Sequence, residues 1–149
     1  MKHKKIVFVC SGNTCRSPMA EAAFRKELKR RKISWYTVQS AGVNAAEGLP
    51  MTAEAEKALT EAKISFSDDY RSRLLTRKTV EEAMAVVCMT RDLCDLIPGK
   101  NVMSFYELAG KDIPDPFGQG IDAYRITLRM IRECFPAIIR RLGLDVKED

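Results

Sequence analysis

The stretch from Lys4 to Phe24, KKIVFVCSGNTCRSPMAEAAF, constrains this chain more than any other. Ile6-Val7-Phe8-Val9 is apolar without a break, so it predicts a strand covered on both sides, as in a parallel sheet between helices. A tight polar loop follows. Pro18 then suits a first helical turn, where its missing N–H is no loss, and a helix is predicted over 17–32 with Met19, Ala20, Ala23, Phe24 and Leu28 on one side. The rest of the chain repeats the alternation. Further strands are expected over 35–39, 83–89 and 101–104. Further helices are expected over 51–63 (starting at Pro50 or Thr52), 91–97 (stopped by Pro98-Gly99) and 121–142. Pro136 interrupts the last apolar stripe and predicts a bend near Arg132 to Phe135 rather than two helices. One α/β domain over residues 1–149 follows: a three-layer α/β/α arrangement around a four-stranded parallel sheet. In such a fold a ligand sits at the C-terminal ends of the strands, which is where Cys10 stands.

The loop itself carries the chemistry. Cys10 and Arg16 bracket Ser11-Gly12-Asn13-Thr14-Cys15, residues small enough for the backbone to curl and turn its N–H groups inward. Those N–H groups, the positive end of the following helix and the planar guanidinium fork of Arg16 would converge on one phosphate dianion. The same positive field would favour a thiolate at Cys10, a nucleophile able to form a phosphocysteine intermediate. Ser17 is placed to donate to that thiolate, to cap the helix, or both. Asn13 tolerates left-handed backbone geometry and can brace the loop.

Bulk properties exclude several classes. The chain has a net charge of +5 and 46% hydrophobic residues, ordinary for a folded globule. Its basic residues, many of them in 25–32, 71–78 and 140–141, are dispersed and form no nucleic-acid motif; they read as solvated helix faces or as surfaces attracting acidic or phosphorylated proteins. No apolar run approaches the roughly 20 residues that span a bilayer. MKHKKIVFVC is too short in its apolar part for a secretory leader, so it is read as the first strand of a cytoplasmic protein. The five cysteines are Cys10, Cys15, Cys88, Cys94 and Cys134; they form no CxxC pair and no zinc spacing, and they fit a reducing compartment. The one histidine, His3, sits in a terminus expected to fray, so neither a metal nor a cofactor is called for. With no apolar stripe left over once the core is filled, a monomer is expected. Cys15 lies close enough to Cys10 for a regulatory disulfide, or it is a small buried residue; both readings stand at this stage.

The Cys10-to-Arg16 loop followed by Ser17-Pro18, its continuation into PMAEAAF, Ser40-Ala41-Gly42 after the second strand, and Asp115-Pro116 near the C-terminal end resemble the low-molecular-weight protein phosphatase family over nearly the whole chain. The resemblance implies a flavodoxin-like fold and hydrolysis of phosphorylated proteins, with phosphate as product. It implies that Cys10 is the nucleophile, that Arg16 binds phosphate, and that Asp115 is the general acid that then activates water. It also gives Ser40 a bracing role beside Asn13. Family members often place a histidine where this chain has Tyr70, whose hydroxyl would have to replace it in the loop network.

Thr14 in GNTCRSP and Phe117 in DPFG look like the protein-arginine phosphatase branch, since tyrosine phosphatases of the family carry a bulky aliphatic residue in place of Thr14. Thr14 would give a narrower, more polar floor suited to a phosphoguanidinium, and Phe117 could lie against its flat face. Substrate-binding residues are therefore expected to be Ser11, Gly12, Asn13, Thr14, Cys15, Ser17 and Phe117. The alternatives are a tyrosine phosphatase, a thiol-dependent arsenate reductase using Cys88 and Cys94, and a silent phosphoprotein-binding module.

Overall fold

The computed structural model describes residues 4–146; His3 lies outside the described residues. The strands are β1 (Lys4–Cys10), β2 (Tyr36–Gly42), β3 (Ala85–Cys88) and β4 (Val102–Ser104), and they form one parallel sheet in the order β2-β1-β3-β4. The helices are α1 (Arg16–Arg30), α2 (Ala53–Glu61), α3 (Arg77–Glu82), α4 (Arg91–Cys94), α5 (Phe105–Ala109) and α6 (Ile121–Leu142).

The central position of β1 explains its unbroken apolar run. Ile6, Val7, Phe8 and Val9 are all buried, covered by neighbours on both faces. Phe8 meets the rings of Phe24 on α1, Phe105 on α5 and Phe135 on α6, with centroids 5.2, 5.9 and 6.4 Å away. Phe24 and Phe135 also pack edge-on at 4.9 Å, within the range where such pairs add to burial. This aromatic cluster fixes α1 and α6 against the strand that ends at Cys10. Pro136 lies inside α6, which continues through it as one helix, and Gly143 closes it in left-handed geometry.

Several boundaries differ from expectation, each for a local reason. β2 runs on to Gly42, so Ser40-Ala41-Gly42 lies within the strand, because pairing with β1 continues to the Cys10–Gly42 register. A side chain at Gly42 would strike the Ser11 carbonyl oxygen, so glycine is required where the two backbones meet. β3 and α4 are shorter than expected, since turns take up their ends.

Two helices were not anticipated. α3 has six residues and α5 has five, too few for hydrophobic periodicity to register. Their caps were readable, though. The Thr76 side chain accepts from Thr79 N–H, and the Ser104 side chain accepts from Glu107 N–H in a Ser-x-x-Glu pattern. Among the described residues no helix is long and apolar enough to cross a membrane.

Candidate active site

β1 delivers Cys10 to the C-terminal edge of the sheet, and the chain turns through residues 11–15 before α1 starts at Arg16. The turn depends on Asn13, which is fully buried and has φ of 59°. A non-glycine residue in this region is strained unless its surroundings hold it, and here they do. Asn13 Nδ2 donates to Ser17 Oγ (2.7 Å) and Ser40 Oγ (3.0 Å). Asn13 Oδ1 accepts from Arg73 N–H (2.9 Å), and Asn13 O accepts from the Tyr70 hydroxyl (2.8 Å).

These bonds fix the direction of a proton. An amide NH2 only donates, so Ser17 Oγ is an acceptor toward Asn13 and must turn its own hydrogen elsewhere. Cys10 Sγ lies 2.9 Å away and Ala41 O lies 3.5 Å away. The nearer partner is the sulfur, which also receives Asn13 N–H at 3.2 Å. Two donors therefore meet Cys10, which is 2% exposed. Hydrogen bonds to the charged form favour that form, so the arrangement suits a thiolate. The expected bracing by Asn13 and Ser40 and the expected Ser17–Cys10 bond are both present.

The network continues into a group that sequence reasoning missed. The Ser40 hydroxyl donates to Glu21 Oε1 at 2.6 Å, and Glu21 pairs with Arg25 at 2.7 Å. Glu21 is 5% exposed. A carboxylate on the side of a helix that also carries Ser17, Phe24 and Leu28 was the available signal, because a charge on an apolar face needs a partner. Tyr70 joins where a histidine was expected: besides bonding Asn13 O, its oxygen lies 3.3 Å from Ser40 Oγ, and burial raises its pKa.

Arg16 is 6% exposed. Its Nη1 donates to Ile113 O at 2.9 Å, and its Nη2 lies 3.7 Å from Asp115 Oδ2. The structure thus brings Arg16 and Asp115 together from opposite ends of the chain. Asp115 is half-exposed; its Oδ1 accepts from Phe117 N–H at 3.0 Å, and its carbonyl accepts from Gln119 Nε2 at 2.8 Å. Phe117 is 67% exposed at the rim. Cys10, Ser11, Gly12, Asn13, Thr14, Cys15 and Arg16 line one pocket of about 370 Å³, walled by Asn44, Ala46, Leu49, Asp115 and Phe117. Ser17 lies beneath it. A larger groove of about 760 Å³, between Val43, Leu75 and Leu96, contains none of the predicted catalytic residues.

All five cysteines are free thiols. The Cys15 sulfur lies 3.2 Å from the Tyr124 hydroxyl, and burial raises its pKa. Its environment is therefore that of a buried, protonated thiol. Cys88 is fully buried in β3, and burial drives its pKa far up. Cys94 is less covered, and burial raises its pKa as well. Neither is presented to the pocket.

Residues 5–148 match the family described as low molecular weight phosphotyrosine protein phosphatase. The protein-arginine-phosphatase of Bacillus subtilis (strain 168) is 34% identical over 153 residues, covering 97% of each chain. A structure of the YwlE arginine phosphatase with a phosphorylated active-site serine superimposes with a TM-score of 0.85 at 34% identity, covering 93% of this chain and 95% of that one. A low molecular weight protein tyrosine phosphatase from T. tengcongensis gives 0.84 at 30% identity, covering 93% and 99%. With the loop, the sheet order and the full-length match in agreement, this chain belongs to the low molecular weight phosphotyrosine protein phosphatase family.

Proposed function

We propose that this protein removes phosphoryl groups from arginine side chains of proteins through a phosphocysteine intermediate. The observation that carries the reading is the Cys10 sulfur held under two donors, in a pocket that also contains Arg16, Thr14 and Asp115.

Cys10 Sγ attacks phosphorus in line as the P–N bond breaks. Arg16, released from Ile113 O, grips two equatorial oxygens, and the loop N–H groups face the remaining charge. A guanidine leaving group is strongly basic, so it must depart protonated; Asp115 gives the proton. Water then attacks the phosphocysteine and gives its proton to Asp115. The S–P bond breaks, returning the Cys10 thiolate and inorganic phosphate. Thr14 supplies a small polar wall for the planar guanidinium, and exposed Phe117 is free to close on its face.

The relatives support both arginine and tyrosine chemistry within the family, and Thr14 favours the first. The reductase alternative needs two accessible redox thiols, whereas Cys88 has no exposed surface. The deciding test is paired hydrolysis of a phosphoarginine protein and a phosphotyrosine peptide by wild type and Thr14→Ile. Wild type should prefer phosphoarginine, and Thr14→Ile should shift the ratio of kcat/KM toward phosphotyrosine by about tenfold or more, the scale of one pocket contact. A wild-type preference for phosphotyrosine would replace arginine by tyrosine as the substrate.

A further inference from the structure

Three residues before Asp115, Asp112 receives Arg91 at three points. Arg91 N–H meets Oδ1 at 2.9 Å, Nε meets Oδ2 at 3.0 Å, and Nη2 meets Oδ2 at 2.9 Å. The guanidinium carbon of Arg91 lies 3.7 Å from the centre of the Tyr106 ring, so its planar fork rests on an aromatic face while it holds the carboxylate. Arg91 opens α4 just beyond the end of β3. Beside this contact, Ile113 N–H donates to Met89 O at 2.9 Å, and Ile113 O accepts from Arg16. The segment that carries Asp115 is thus moored to the edge of the sheet at Asp112 and Ile113. Beyond that point the side chain of Asp115 is half-exposed, and Arg16 Nη2 lies 3.7 Å from its carboxylate.

We propose that Arg91 and Asp112 are positioning residues for proton delivery: they fix the base of the Asp115 segment and so set where its carboxyl meets the leaving group. Neither touches substrate. The proposal rests on the reading of Asp115 as the acid. An ordinary surface ion pair contributes little, but here Nε and Nη2 both hold Oδ2, the backbone N–H holds Oδ1 and a ring lies beneath the guanidinium, a set that specifies orientation as well as attraction. Orientation is what an exposed acid lacks, and a displacement of about 1 Å can cost roughly a hundredfold in rate.

The test compares two substrates. Phosphoarginine needs a proton on its leaving nitrogen, while 2,4-dinitrophenyl phosphate releases a stable phenolate and needs none. Asp112→Asn should lower kcat/KM for phosphoarginine by about ten- to a hundredfold. It should leave the dinitrophenyl ester within about twofold and the inhibition constant of inorganic phosphate unchanged, as expected when only proton delivery is displaced. Combined with Asp115→Ala, it should cause no further loss on phosphoarginine. Arg91→Lys keeps the charge without the fork, and makes the same comparison should Asp112→Asn fail to fold; exchanging the pair as Arg91→Asp with Asp112→Arg should recover part of the loss. Equal losses on both substrates, weaker phosphate inhibition, or additive loss in the double variant would reduce the pair to a support of the fold. If Asp115→Ala alone loses both substrates equally, the acid assignment fails and this proposal falls with it. If Asp115→Ala spares the dinitrophenyl ester while the Arg91 and Asp112 variants do not discriminate, only the positioning role is lost.

Discussion

The two halves of the site are built differently. The floor around Cys10 is dry and cross-braced: buried Asn13 alone bonds Ser17, Ser40, Tyr70 and Arg73. The wall bearing Asp115 is anchored at Asp112 and Ile113, but beyond them Asp115 is half-exposed and bonds within its own short turn, through Phe117 and Gln119. A phosphate cradle must be finished before substrate arrives, because donors that reorganise during the reaction give back what they stabilise. The role proposed for Asp115, giving a proton and then taking one from water, needs access to solvent. The contrast predicts that damage to the floor appears in both stability and rate, while damage to the wall appears in rate alone.

Asn13→Ala should have the largest effect on stability. It removes three side-chain hydrogen bonds, takes the acceptor from the N–H of Arg73, and puts a β-carbon with no local hydrogen bond at positive φ. Chemical denaturation should show a loss of about 3 kcal/mol, with turnover falling in parallel. A fully stable, inactive variant would show that the brace serves chemistry alone.

Glu27 offers an intermediate yardstick outside both regions. Arg30 and Arg31 lower its pKa from 4.5 to about 2, with Arg30 the leading cause. A depressed carboxyl stabilises the fold fully above about pH 4.5, and that contribution fades as pH falls toward 2. Arg30 is largely exposed, so solvent screening leaves only a small net contribution at neutral pH. Glu27→Gln should be slightly less stable at pH 7 and indistinguishable from wild type near pH 2; a gap that persists at low pH would contradict the pairing.

Asp115→Ala should have the smallest effect on stability, within about 0.5 kcal/mol, as for an exposed side chain away from the core. Its loss of phosphoarginine turnover should still be about a hundredfold or more. A marked fall in melting temperature would erase the distinction between floor and wall.

Much of this was legible in the sequence, and the limits are physical. The apolar run at Ile6 to Val9 declared a doubly covered strand, and the spacing of Cys10, Asn13, Arg16 and Ser17 declared the cradle, because both patterns are local. The position of Gly42 inside β2 was not legible, since it depends on how far β1 pairs. The burial of Glu21 was signalled only by its place on an apolar helix side with Arg25 one turn on; its bond to Ser40, 19 positions away, was not legible. Cys15 was left between a redox partner and a buried residue; the contact with Tyr124, 109 positions away, shows the burial. Long-range partners leave no local signature.

The bonds from Tyr70 and Arg73 to Asn13 span 57 and 60 residues of chain. Closures of that length come late, because the loop entropy is lost before the contact repays it. Until they form, Asn13 lacks two of its four braces and the loop that carries Cys10 is not yet fixed. The setting proposed to make Cys10 reactive toward phosphorus is therefore complete only once the chain has folded back through Arg73, so a shorter or misfolded copy lacks it.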